Sequence, residues 1–130
     1  MAERINLEVP ADPSAVDTVL TIVGGISARL DYSLDDLDDV RLAVEMLLGD
    51  ALELEKLDTI AIRAEVADGW MKLTAGPFRS AELRRRVTIG RADCIDLCLL
   101  LRRTMDAVTV EGDEATYSVV LERCPRGVSR

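Results

Sequence analysis

The chain has 130 residues, 48% of them apolar, with one Trp, one Phe and two Tyr; this predicts one domain (1–124) around an aliphatic core, with 125–130 as a flexible C-terminal tail. Its formal charge of −8 and pI near 4.5 argue against nucleic acid as a partner, because a phosphate-binding surface needs a basic patch to displace counterions. The absence of histidine removes the usual general base and excludes hydrolases built on Ser-His or Cys-His pairs.

Arg4 to Val9 alternates, with Ile5, Leu7 and Val9 on one side, and predicts a short strand ended by Pro10. Asp12 and Pro13 open a helix whose apolar face is Val16, Val19, Leu20, Val23, Ile26 and Leu30. Gly24-Gly25 weakens that helix by roughly 1 kcal/mol per glycine, so either the helix breaks there or a neighbour packs closely against the bare backbone, and close packing is expected. From Ser33 to Leu54, Leu34, Leu37, Val40, Val44, Leu47, Ala51 and Leu54 recur at steps of three and four, one buried stripe on a second helix. Ser33 and Asp36 form a capping-box arrangement, and Asp35, Asp36, Asp38 and Asp39 set negative charge near the positive end of the helix dipole. Residues 41, 45, 48, 49 and 52 run beside the stripe. Glu45 therefore stands at the edge of the core, where its carboxylate either faces a cleft or simply stays in water.

Thr59 to Ala67 alternates as a half-buried strand, Asp68-Gly69 is a two-residue hairpin signal, and Trp70 to Thr74 forms the return strand. Ala75 to Gly90 is less regular, punctuated by Gly76-Pro77 and carrying the basic cluster Arg84, Arg85, Arg86. A helix is expected over Arg91 to Asp106, and Ala107 to Glu111 with Ala115 to Arg123 close the domain as a hairpin around Gly112-Asp113. The order strand, helix, helix, hairpin, helix, hairpin predicts an α+β fold: one mostly antiparallel sheet with helices on one face.

Cys94, Cys98 and Cys124 are odd in number, so a disulfide framework is not expected. With no histidine and one further cysteine, a metal site on the Cys94/Cys98 pair lacks ligands. The three read as small core residues. No apolar run approaches the roughly 20 residues that span a bilayer, and MAERINLEVP lacks the basic start and apolar middle of a signal peptide; no membrane association and a cytoplasmic location are expected.

LAVEMLLGDAL at Leu42 to Leu52, preceded by acidic residues and followed by a hairpin, resembles the first motif of the anti-sigma regulatory factors, small serine/threonine-protein kinases of the histidine-kinase-like (GHKL) ATPase superfamily. RINLEVPADPSAVDTVLTIV resembles the family's opening strand and helix, and LRRTMDAVTVEGDEATYSVVLER its closing helix and hairpin, so the likeness spans most of the chain. It implies a Bergerat-type ATPase fold, a two-layer α/β sandwich with a mixed, mostly antiparallel sheet. In that family the helix motif pairs a Glu that activates a nucleophile with an Asn, four residues later, that binds Mg²⁺ between the ATP phosphates. Glu45 matches the Glu as candidate catalytic base, while Gly49 holds the Asn position and has no side-chain oxygen for a metal. Asp50 is adjacent but turned by about 100° on the helix. The family's second motif, an Asp for the adenine amine followed by glycines, corresponds to LTAGPF: Gly76 is retained, and Thr74 or Ala75 stands for the Asp. The third, a Gly-rich turn at the phosphates, is replaced by ADCIDLCLL, with Ile95 and Leu97 where glycines are expected.

The resemblance thus implies a degenerate nucleotide site, with Gly49, Gly76, Arg84 and Arg91 as its remaining cofactor-contacting positions, and no bound cofactor; ATP and Mg²⁺ are implied only if the site still functions. Arg84, Arg85, Arg86 and Arg91 either replace lost phosphate contacts or form the solvated basic edge of a lid-like loop. The implied function is that of a bacterial pseudokinase in transcription regulation, a homodimer binding a sigma factor, an anti-anti-sigma protein, or both. Asp35, Asp38, Asp39 and Glu53 would steer a basic partner. Two alternatives stand beside it: an active ATP-dependent serine/threonine-protein kinase using Glu45 as base, and a small-molecule sensor on the same fold, which would show a deep apolar cleft between helix 33–54 and the sheet.

Overall fold

The computed structural model describes residues 3–89 and 96–124. Strands β1 (Glu3–Pro10), β2 (Thr59–Ala67), β3 (Trp70–Phe78), β4 (Ala107–Gly112) and β5 (Tyr117–Arg123) form one sheet in the order β1-β2-β3-β5-β4. Every neighbouring pair is antiparallel. Because side chains alternate faces along a strand, the register aligns one apolar row across the whole sheet: Leu7, Ile62, Ala75, Val119 and Val110 lie opposite one another. The next row, Asn6, Arg63, Thr74, Val120 and Thr109, looks the other way.

Helices α1 (Pro13–Arg29), α2 (Leu34–Leu54), α3 (Ala81–Thr88) and α4 (Leu97–Thr104) cover the apolar face. Each starts on a side chain that accepts from one of its first N–H groups: Asp12 from Ala15, Ser33 from Asp36, Ser80 from Leu83 and Asp96 from Leu99. Val19, Val23, Val40, Val44 and Leu47 from the helices meet Ile62, Leu73, Val119 and Leu121 from the sheet in a single core.

Four expectations are corrected. The segment after Thr74 is regular: β3 runs on through the cis Gly76-Pro77 bond to Phe78, and α3 follows, with Leu83 and Val87 buried one turn apart. The Gly24-Gly25 pair neither breaks α1 nor receives a close neighbour. A Cβ on Gly24 would sit 3.9 Å from the tip of Leu37, an ordinary contact, and one on Gly25 would meet nothing within 4 Å. Leu34, assigned to the α2 stripe, is 78% exposed, while Asp36 and Leu48 are buried. Cys98 is a core residue as expected, but Cys124 is exposed; Cys94, most of the expected start of the last helix and the 125–130 tail lie outside the described residues.

Asp36 goes inward because of Arg123, which is 1% exposed at the end of β5. One guanidinium nitrogen of Arg123 donates to Asp36 (2.5 Å) and Asp39 (3.0 Å) on α2, and the other donates to the carbonyl of Thr104 at the end of α4. Its Nε is buried without a partner among the described residues. Asp39, half-buried, is thus paired with Arg123 and is not part of a free acidic surface. Nearby, the Tyr32 hydroxyl donates to the carbonyl oxygens of Gly69 and Arg123 at 3.0 and 2.8 Å, and burial pushes its pKa well up.

Arg123→Met should lower unfolding free energy by about 3–5 kcal/mol, because two carboxylates lose their buried counter-charge; removing those charges as well, in Arg123→Met/Asp36→Leu/Asp39→Leu, should recover much of the loss in urea unfolding. Gly25→Ala should add roughly 0.5–1 kcal/mol by the same measurement. Gly76→Ala, at φ +146° and with Ser118 Oγ 2.8 Å from the new Cβ, should instead destabilise by about 1 kcal/mol or more.

Candidate functional site

Successive residues on α2 are turned by about 100°, so neighbours in sequence serve different sides of the helix. Glu45 is exposed, and with Leu20 of α1 and Asp38, Arg41 and Leu42 it lines an open depression of about 310 Å³. Gly49, one turn further, is also exposed, with open space where a side chain would stand. Asp50 turns instead toward α3, where its carboxylate lies 3.3 Å from Arg86, whose other terminal nitrogen is 3.9 Å from Glu53. The α2 side that opposes α3 therefore carries Asp50 and not Gly49. A register one residue later than the one read from Glu45 would put Met46 and Asp50 at the two motif positions. The only sequence signal for this was the acidic pair Asp50/Glu53 ahead of an arginine cluster.

α3 itself is anchored at its start. Glu55, just past α2, accepts from the backbone N–H groups of Arg79 and Ser80 at 2.9 and 2.5 Å, and the buried Tyr117 hydroxyl donates to the Ser80 carbonyl at 2.5 Å. Tyr117 also packs against Phe78, their ring centres 6.1 Å apart. The three consecutive arginines on α3 diverge. Arg84 donates to the Asp113 carbonyl at 2.7 Å and lies 5.4 Å over the Tyr117 ring, a cation–π contact. Arg85 pairs with Glu82 on its own helix, and Arg86 with Asp50 and Glu53.

Gly76 sits elsewhere again. It is buried in β3 where the backbone of Ser118 approaches closely, which accounts for a glycine at positive φ. Thr74 and Gly76 border an open polar depression of about 390 Å³, shared with Asn6, Arg63, Pro77 and Ser118, on the sheet face turned away from the helices. The residues expected to share one nucleotide are therefore dispersed: Glu45 and Gly49 on the outside of α2, Arg84 on α3, Gly76 on the far face of the sheet. Arg91 and Ile95 lie outside the described residues, and Leu97 is buried in the first turn of α4. Among the described residues, the cavity between α2 and the sheet at Val44, Leu47, Leu73 and Val119 is about 10 Å³, no larger than a single water could occupy. Among the described residues there is no cluster of potential metal ligands, and no helix is long and apolar enough to cross a membrane.

An all-antiparallel five-stranded sheet under a helix layer, with the long second helix leading into a hairpin and the last helix into the closing strands, is the histidine-kinase-like ATPase fold. No protein-family model matches the chain. Serine-protein kinase RsbW of Bacillus velezensis is 29% identical over 51 residues, 39% of this chain and 32% of that protein. The structure of the RsbU and RsbW domains of Rv1364c from Mycobacterium tuberculosis superposes with a TM-score of 0.68 at 16% identity, over 94% of this chain and 32% of that one. The chain spans about a third of the length of each of these relatives. The chain is thus similar to these RsbW proteins in fold and, over part of its length, in sequence.

Burial, and secondarily the negative charge of Glu55, pushes the Tyr117 hydroxyl up to about 12 from an ordinary value near 10. Below pH 10 the group is protonated in both folded and unfolded chains and its contribution is intact; from pH 10 to 12 the unfolded chain ionises first, so stability falls as pH rises. The urea midpoint should decline across that window. Tyr117→Phe should shrink the slope and leave a remainder from Tyr32, which is shifted in the same direction.

Proposed function

We propose that this chain is a divergent anti-sigma regulatory protein, a protein-binding module of the bacterial cytoplasm that acts as a homodimer on a sigma factor, an anti-anti-sigma protein, or both, with its nucleotide site degenerate. The carrying observation is the donor set on α2. In the register of Glu45, the metal position is Gly49, which has no oxygen; in the register of Asp50, the metal position is a carboxylate 3.3 Å from Arg86, and the base position is Met46, whose thioether takes no proton. Neither register offers a base and a metal ligand together. Phosphoryl transfer in this fold relies on Mg²⁺ to hold and neutralise the phosphates; one register offers it no side-chain oxygen, and the other offers a carboxylate that is paired with Arg86 and has no base beside it.

The arginines argue the same way. Among the described residues, Arg84, Arg85 and Arg86 are each engaged by a different group within the chain, so these three do not converge on one point. The sensor alternative draws no support from the space between α2 and the sheet, which among the described residues holds a cavity of about 10 Å³. Likeness to a protein named as a serine-protein kinase supports the family reading, while the side chains at the motif positions support loss of the kinase step.

Isothermal titration with Mg-ATP and Mg-ADP should give no binding in the micromolar range. Micromolar affinity that Glu45→Ala or EDTA abolishes would sink the degenerate-site reading and favour the alternative, an active serine/threonine-protein kinase using Glu45 as base.

A further inference from the structure

Three of the four large apolar side chains left exposed among the described residues lie on one helix: Leu34 at 78%, Leu42 at 40% and Met46 at 40%. At about 100° per residue, Leu34, Leu42 and Met46 fall within an arc of roughly 120°, together with Asp35, Asp38, Glu45, Gly49 and Glu53. All of these are exposed. Apolar side chains thus run along the outside of α2 between carboxylates. Gly49 leaves the backbone bare beside Met46, and the 310 Å³ depression at Leu42 and Glu45 extends the surface toward Leu20. Asp35, Asp38 and Glu45 are in no ion pair among the described residues.

We propose that this outer face of α2 is a docking surface for a basic amphipathic helix of a partner protein. The inference rests on the reading of the chain as a protein-binding module and adds the surface and the chemistry of what it binds. An amphipathic helix laid in a groove reads its receptor through apolar anchors one turn apart, and Leu42 and Met46 supply that spacing. From Leu34 to Met46 the face is about 18 Å long, enough for three to four turns of partner helix. The unpaired carboxylates select lysine and arginine on the partner's flanks. A second copy of this chain is disfavoured as occupant, because two-fold pairing would set one acidic face, with Asp35, Asp38 and Glu45, against another.

The test is NMR titration of the ¹⁵N-labelled chain with a synthetic Leu/Lys peptide of about 15 residues carrying one apolar stripe, against a scrambled peptide of the same composition. Expected are shift changes centred on Leu34, Asp38, Leu42 and Met46, an affinity that falls with salt, and binding at least about tenfold weaker both for the scrambled peptide and for Leu42→Ser/Met46→Ser. Those two side chains are already partly in water, so that variant should keep the wild-type spectrum elsewhere. The proposal is overturned by no binding, by equal binding of the scrambled peptide, by shifts centred on the sheet face around Glu65 and Glu122, or by a wild-type dimer that Leu42→Ser/Met46→Ser dissolves. None of these outcomes bears on the Mg-ATP titration, so failure here and failure of the proposed function are separable.

Discussion

The buried guanidinium of Arg123 is the contact on which the arrangement of this molecule turns. It comes from β5, next to the centre of the sheet, and reaches both the first turns of α2 and the last carbonyl of α4. Taking such charges out of water costs several kcal/mol per ion, and the cost is offset only while Asp36, Asp39 and the Thr104 carbonyl stay in place together. One side chain therefore ties two helices to the strand beneath them. Tyr32 seals the same corner by bonding to the backbone carbonyl of Arg123 itself.

Fixing the start of α2 also fixes its rotation, and rotation decides what each of its carboxylates does. Asp36 and Asp39 point to Arg123, Asp50 to Arg86, and Asp35, Asp38 and Glu45 to water. The same turn of the helix places Leu34, Leu42 and Met46 outward. An acidic, partly apolar outer face and a clasped inner side are two results of one geometric choice. α3 completes the clasp, its start held by Glu55 and Tyr117 and its end by Asp50 and Glu53.

Much of the fold could be read from residue patterns where those patterns are local. Period-two alternation located β1 and β2, the Asp68-Gly69 turn set the central hairpin, and Ser33 marked the start of α2 to the residue. Short elements were less legible. α3 has eight residues, only two of them buried, and a charged sequence that a helix stripe barely marks; β3 continued through a Gly-Pro pair that usually ends a strand. The candidate site was legible in its residue types and not in their directions. Glu45, Gly49, Gly76 and Arg84 look like members of one constellation in the sequence, yet Glu45 and Gly49 lie on the outside of α2, Arg84 on α3 and Gly76 on the far face of the sheet.

By itself, the sequence determined the aliphatic core, the antiparallel α+β layout and the absence of histidine chemistry, because these depend on residue identity and short-range spacing. Only the tertiary structure decided which acidic residues are free. Asp38 and Asp39 are neighbours in the same acidic run, and no local rule separates them. What separates them is an arginine more than eighty residues away, whose burial pulls one carboxylate inward and leaves the other in water.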